Sequence, residues 1–276
     1  MKIGIVGLGL IGGSLGLSLK NEKIISCVSG MDLSKEHEKQ AIELGLVHEI
    51  LTLEQMKQNC DMIFLAIPVE AIIKIVKEFE GIGENTTIVD LGSTKQKIIE
   101  AVPESIRQNF IPAHPMAGTE YSGPTAAFSG LFKDAVVAIC DFKESGEMHV
   151  KRSVELFSHL GMKIIFMSAA EHDHHASVIS HLPHAISFSL ASSVLKKENK
   201  KNIIALSGTG FNGMIRIAKS SPVMWTDIFK QNKQNLINSI DLFKKELDEC
   251  ENLIKNEKWD ELREWMSEAR KIREIL

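Results

Sequence analysis

Cysteine is scarce and scattered. Cys27, Cys60, Cys140 and Cys250 form no Cys-x-x-Cys pair and no disulfide-like spacing. That excludes a disulfide framework and suits a reduced, cytoplasmic protein. No apolar run approaches the roughly 20 residues needed to span a bilayer, so no membrane segment is expected. The first residues, MKIGIV, run straight into a strand, so no signal peptide is expected either. Charge has no strong sign: a net charge of −4 over 276 residues gives no reason to expect nucleic acid or an acidic membrane surface. Internal repeats, low-complexity tracts and Pro/Ser-rich linkers are also missing. What remains is an ordinary globular composition, 44% hydrophobic and 25% charged, long enough for two domains.

The informative stretch is the first thirty-two residues. An apolar strand, Met1–Val6, ends in Gly7-Leu8-Gly9-Leu10-Ile11-Gly12. Gly13 to Lys20 read as a helix, and Cys27–Met31 reads as a second strand closing on Asp32, twenty residues after the last glycine. This is the dinucleotide-binding fingerprint in its proper context. Gly7 permits the tight turn, Gly9 lets backbone approach a pyrophosphate, and Gly12 lets helix and strand pack closely. The helix N-terminus favours the phosphates. A carboxylate at Asp32 accepts both ribose hydroxyls and repels a 2′-phosphate, which argues for NAD over NADP. Gly7, Gly9, Leu10, Ile11, Gly12, Asp32 and Pro68 are the expected cofactor contacts.

Further along, Ser34–Leu44 is helical in pattern and is stopped by Gly45. Asp61–Ile67 is a buried strand ending at Pro68, and Val69–Phe79 is amphipathic. Thr87–Leu91, Phe110–His114, Ala135–Cys140 and Lys163–Met167 read as strands, with helices over Thr94–Val102 and Val150–Leu160. Short apolar strands alternating with helices predict an α/β fold, a doubly wound, mostly parallel Rossmann-type sheet. Ligands of such sheets sit at the carboxyl ends of strands, where Pro68, Ser93 and His114 fall. The character changes near residue 168. Ser168-x-x-Glu171 has the form of a capping box and opens a long helix to about Lys197, with Pro183 expected to kink it. No strand is expected beyond it. Residues 1–168 are therefore read as the dinucleotide-binding domain and 169–276 as an all-helical domain. Leu236, Ile240, Phe243, Leu247, Cys250 and Ile254 form an apolar stripe, continued by Leu262, Trp265, Met266, Ala269, Ile272 and Leu276. The stripe faces either the domain's own core or a second subunit; a homodimer is expected.

Several residues could carry chemistry. A nicotinamide enzyme oxidising an alcohol needs a base for the hydroxyl proton, and histidine suits that near neutral pH. His114 is the best placed, the alternative being a buried histidine satisfied by backbone. Ser93 is either functional or the cap of a Ser-x-x-Gln box ending at Gln96. His172, Asp173, His174, His175, His181 and His184 invite a metal hypothesis, but no HExxH motif or thiolate pair accompanies them. They read better as a solvated helix face plus one or two site residues, and no metal is expected. Arg216, in a glycine-loosened stretch, is either a surface residue or a carboxylate clamp.

Taken together, GLGLIGGSLG, DLGSTK (Asp90–Lys95), AHPMAGTEYSG (Ala113–Gly123), SHLPHAISFSLA (Ser180–Ala191) and RIAKSSPVMWTDIF (Arg216–Phe229) resemble the prephenate/arogenate dehydrogenase family over nearly the whole chain. The resemblance implies oxidative decarboxylation of prephenate to 4-hydroxyphenylpyruvate, or of arogenate to tyrosine, with hydride passing to a nicotinamide cofactor. It gives His114 the role of base and Ser93 that of holding the reacting hydroxyl. It makes His184 and Arg216 substrate-binding residues, places Glu120 over the pocket with Thr119 beside it, and makes the helical domain a dimerisation domain. One departure stands out: many members carry an acid where this chain has Gly213. Ending at Leu276, the chain leaves no room for a regulatory or mutase module, so feedback by tyrosine is expected at the active site if at all. Other readings are an arogenate dehydrogenase, a non-catalytic NAD-sensing protein, or a dehydrogenase using Lys196, Lys197 or Lys219 as base.

Overall fold

The structure, a computed structural model, describes residues 1–20 and 22–275. Its contacts divide the chain into two compact units, Met1–Asn232 and Lys233–Leu276. In the first unit eight strands form one sheet: β1 (Lys2–Val6), β2 (Cys27–Met31), β3 (Glu49–Ile50), β4 (Met62–Leu65), β5 (Thr87–Asp90), β6 (Phe110–Pro115), β7 (Val136–Cys140) and β8 (Lys163–Met167). Their order is 3-2-1-4-5-6-7-8, and every neighbouring pair is parallel except β6 with β7. The chain therefore reverses direction across the sheet at β1, which pairs with both β2 and β4. The crevice for a ligand opens there. Buried on both faces, the central strands read as continuous apolar runs. In β4, Met62 and Phe64 join one core cluster while Ile63 and Leu65 join the other.

The helices interleaved with these strands are α1 (Leu10–Leu19), α2 (Lys35–Glu43), α3 (Leu53–Asn59), α4 (Val69–Ile75), α5 (Gln96–Ala101) and α6 (Glu147–His159). Helix α1 begins three residues before the expected Gly13, because the tight turn is complete at Gly9, its N-cap. The two-residue strand β3 and helix α3 escaped the sequence reading. The strand is too short for periodicity to register, and α3 is announced only by a Thr52/Gln55 capping box, both halves of which are formed.

After β8 every element is helical among the described residues: α7 (Ala169–Ala176), α8 (Leu182–Lys197), α9 (Lys200–Leu206), α10 (Thr209–Ile215) and α11 (Pro222–Gln231). The Ser168–Glu171 capping box forms in both directions. The disturbance expected of Pro183 is a π-helical turn, Ser177–His181, with the proline in the first turn of α8, where its missing N–H is tolerated. Together, Ala169–Lys197 make a 29-residue helix, and an 18-residue window within it has a mean hydropathy of 1.3, enough by length and composition alone to cross a membrane. The expectation that no run approaches that length is corrected: scattered Ser and His residues interrupt the apolar pattern of the stretch, although His172, Asp173 and His181 within it are buried.

The second unit is a helical pair, α12 (Lys233–Lys255) and α13 (Trp259–Ala269), tied by the Trp265 indole N–H donating to Glu246 at 3.2 Å. Of the apolar stripe, Leu236 is buried and Ile240, Phe243 and Cys250 are half-buried. Leu247, Ile254, Met266 and Ile272 stay exposed. The stripe position Leu276 lies outside the described residues.

Candidate active site

The glycine turn has the shape its sequence demands. Gly7 adopts φ +94°, and a Cβ there would fall 2.4 Å from the Ala66 carbonyl oxygen. A Cβ on Gly12 would fall 1.9 Å from the Gly7 oxygen, whereas one on Gly9 would meet nothing within 4 Å. Two glycines are thus required by close packing, and the middle one faces open space where a pyrophosphate can approach. Leu10 and Ile11 form the first turn of α1 behind it. Asp32, at the end of β2, holds the turn directly. Its Oδ2 accepts the Leu8 N–H at 2.8 Å and its Oδ1 accepts the Ser34 N–H at 2.9 Å. Pro68 follows β4 across the crevice and is the N-cap residue of α4. These residues fit a nicotinamide dinucleotide.

Next to this cradle, β5 and β6 run parallel with Asp90 opposite Pro112, which brings the loop holding Ser93 beside His114 near the carboxyl end of β6. A wholly buried ion pair ties the two. The Lys95 ammonium binds the Asp90 carboxylate and also donates to the Ala113 carbonyl at 2.6 Å. Burial pushes Asp90 up to about 6, against the opposing pull of Lys95 and of the Gly92 N–H.

His114 is buried, and its Nδ1 lies 2.8 Å from Nε2 of His172. The His172 Nδ1 in turn lies 2.8 Å from Asp173 Oδ1. Asp173 accepts two further hydrogen bonds, from the Lys95 N–H at 2.8 Å and the Gln96 N–H at 3.0 Å. Burial raises the Asp173 carboxyl, but its hydrogen bonds to His172, Gln96 and Lys95 outweigh burial and hold it below the usual range. An ionised Asp173 requires a proton on His172 Nδ1. His172 Nε2 is then an acceptor, His114 Nδ1 carries the proton, and His114 Nε2 keeps its lone pair. Burial, followed by the neighbouring His172 and Lys95, holds His114 well below the ordinary imidazole value, so it is neutral. A neutral imidazole with a free lone pair at the strand ends is what removal of a hydroxyl proton requires.

This network overturns one reading of Ser93. The Ser-x-x-Gln pattern does not cap α5: the N-cap position is Lys95, which makes no side-chain cap bond, and the carboxylate of Asp173 takes the helix's first N–H groups instead. A charged acceptor at a helix N-terminus outcompetes a neutral hydroxyl. Ser93 is left half-buried, its hydroxyl making no hydrogen bond among the described residues.

The helical elements supply the rest. The His184 imidazole stacks on the Trp225 indole and donates from Nδ1 to the Ser180 carbonyl at 2.9 Å. Burial holds its pKa below the ordinary value, so Nε2 is an acceptor. The Ser187 hydroxyl, donating to the Met214 carbonyl at 2.7 Å, pins α10 to α8 just before Arg216. The exposed Arg216 guanidinium pairs with Glu120 at 3.1 Å, in the loop after β6, where Thr119 Oγ1 accepts the Tyr121 N–H. The Glu120 carboxyl is held below its usual range by its own backbone N–H and by Arg216. A Cβ at Gly213 would meet nothing within 4 Å, so the acid missing there leaves open space. The six-residue histidine-rich set is divided. His172, Asp173 and His181 are buried, His184 is half-buried, and His174 and His175 are exposed. Among the described residues no group of three or more possible ligands converges on a metal position. The sequence reading missed His172, Asp173 and Trp225 as site residues. The available signal was the His-Asp pair directly after the capping box that follows the last strand.

A sheet wound in this order, with an open glycine over one strand end and a lone-pair imidazole over another, defines a nicotinamide-dependent dehydrogenase. The comparisons carry this further. Residues 15–166 match the family model described as prephenate dehydrogenase, nucleotide-binding domain, and residues 168–268 that described as prephenate dehydrogenase, dimerization domain. The chain belongs to the prephenate dehydrogenase family. It is 32% identical to the prephenate dehydrogenase of Bacillus subtilis over 99% of this chain and 75% of that one. It is 30% identical to the cyclohexadienyl dehydrogenase of Zymomonas mobilis over 98% and 94%. Its fold superposes on the prephenate dehydrogenase of Aquifex aeolicus, solved with hydroxyphenyl propionate and NAD+, with a TM-score of 0.91 at 31% identity, covering 99% and 97%.

Proposed function

We propose that this chain oxidatively decarboxylates prephenate to 4-hydroxyphenylpyruvate, passing hydride to NAD, as a cytoplasmic homodimer. The observation that carries the reading is the chain of bonds from Asp173 through His172, which leaves His114 neutral with Nε2 free. Bound NAD+ supplies the hydride acceptor. Gly9 gives its pyrophosphate room, and Asp32 receives its ribose hydroxyls. His114 Nε2 takes the proton of the ring hydroxyl as hydride leaves the same carbon, and Ser93 holds that oxygen. Loss of carbon dioxide then makes the ring aromatic, which drives the reaction forward. Arg216 grips a substrate carboxylate under the loop carrying Thr119 and Glu120, and His184 offers its Nε2 to the substrate. These assignments rest on the resemblance together with the placement of the side chains.

The dimer is supported by the match to a dimerization domain and by exposed apolar residues of the helical elements, among them Leu206 (83%) and Val223 (80%). Four free cysteines suit a cytoplasmic setting. The functional boundary is proposed at residue 168, where the last strand gives way to helices.

Prephenate and arogenate, each assayed with NAD and NADP by NADH or NADPH formation, test the reading. The highest kcat/KM is expected for prephenate with NAD. Arogenate winning by tenfold or more would replace prephenate in the reading, and no turnover of either would remove it. Arg216→Ala should raise KM mainly, since a clamp binds ground state and transition state alike. Light scattering showing a monomer at micromolar concentration would remove the dimer.

A further inference from the structure

We propose that His172, backed by Asp173, is a proton reservoir behind His114, holding the proton of the substrate hydroxyl while the ring is oxidised and returning it to the product phenol. The inference rests on the proposed reaction and deepens it. The geometry is a single line: Asp173 Oδ1, His172 Nδ1 at 2.8 Å, then His172 Nε2 to His114 Nδ1 at 2.8 Å, all three side chains buried. The two imidazoles meet edge to face, 5.0 Å between centroids and 71° between planes. A lone hydrogen bond to backbone would suffice to orient His114. A second imidazole leading to a carboxylate does more, because it offers the positive charge a better place than His114 itself.

The steps balance. The substrate O–H bond breaks and its proton joins His114 Nε2. The His114 Nδ1–H bond breaks and that proton joins His172 Nε2. His114 is again neutral, and the new imidazolium lies beside the Asp173 carboxylate. When the carboxylate leaves as carbon dioxide and the ring becomes a phenol, both protons step back, the last one from His114 Nε2 to the phenol oxygen. The enzyme is thereby reset with no net proton taken or released.

The charges around the pair favour this order. The Lys95 charge penalises a cation on His114. Asp173 touches His172 and not His114. Asp90 is committed to Lys95. His181, pushed down to about 4 by burial, stays neutral, and Cys140, pushed up to about 12 by burial, stays a thiol. His172 acts through His114 and is a positioning residue in this scheme.

His172→Gln separates storage from mere orientation. Glutamine can still accept the His114 Nδ1–H, but it cannot hold a proton. The expected result is a kcat lower by about 10²-fold, the lower end of the range for proton-transfer catalysis. KM should stay within a factor of two, and the acid limb of kcat/KM should move to lower pH. A kcat within a factor of two of the unaltered enzyme, with the limb in place, would overturn the proposal. If the variant does not fold by circular dichroism, Asp173→Asn is read for the same limb. Independently of any substrate, ring-nitrogen NMR of 15N-histidine-labelled unaltered protein should show both His114 and His172 protonated at Nδ1, the tautomers that the line of hydrogen bonds requires. His114 protonated at Nε2 would overturn the relay, whereas failure of turnover with normal NMR would overturn only the proposed reaction.

Discussion

The imidazole of His184 lies flat on the indole of Trp225, with ring centroids 3.5 Å apart and 22° between the planes. The stack fixes the plane of the histidine, the bond to the Ser180 carbonyl fixes its tautomer, and together they aim one acceptor nitrogen. Stacked rings are worth about 1 kcal/mol beyond the area they bury. Trp225→Leu should therefore raise the substrate KM about three- to tenfold and change kcat less. Steady-state kinetics checks this, with melting temperature as the control for lost packing. An unchanged KM would mean that His184 does not depend on the stack.

His114→Asn should lower kcat by about 10²-fold or more, with little change in KM, as for a lost general base. The structure also refines the pH profile. Because burial holds His114 well below 6.5, its neutral form persists on mild acidification. The acid limb of kcat/KM should accordingly lie below 6.5, and a limb centred above that value would contradict a desolvated base.

Asp32→Ser should shift cofactor preference toward NADP by removing a charge that repels a 2′-phosphate. It should also weaken NAD, since the carboxylate binds the Leu8 N–H inside the glycine turn. Isothermal titration of both cofactors against the variant tests the two effects separately. A preference ratio that does not move would detach Asp32 from the ribose.

Lys95→Met should destabilise the fold by about 3–5 kcal/mol, the usual cost of stranding one member of a buried pair. Acid should partly relieve the loss, because the stranded Asp90 can bind a proton and become neutral. Thermal melts at pH 7.5 and 5 should show the gap between variant and unaltered protein narrowing at the lower pH; a constant gap would contradict it.

Stability should fall on acidification. His181 ionises near 6.5 when unfolded and near 4 when folded. Between those values the unfolded chain holds a proton that the folded chain refuses, so stability falls as pH drops from 6.5 to 4. His114, His149 and His184 are shifted down as well and act with the same sign. Asp90 acts oppositely between about 4 and 6, since there the folded chain holds the extra proton. Four imidazoles outnumber it, so melting temperature should drop between pH 7 and 5.

The nucleotide half of the fold was legible because its signals are local. A strand, three glycines and an acid lie within thirty-two residues, and each glycine's task follows from its own neighbours. Ser93 shows where that reasoning ends. Its hydroxyl stands at capping distance in sequence, yet the cap comes from Asp173, 77 residues beyond Gln96. The His172–Asp173 pair was hidden for a related reason. Spacing places histidines on a helix but does not tell which turn meets the end of β6, and only tertiary packing separates buried His172 from exposed His174 and His175.

The grip of Asp173 on the main chain of Lys95 and Gln96 has a mechanical consequence. The loop bearing Ser93 and the helix bearing His172 are stitched into one plate, so neither can drift without dragging the other. Whatever opening admits or releases ligands has to hinge elsewhere, and a substitution that loosens α7 should register at Ser93 before it registers at the glycine turn.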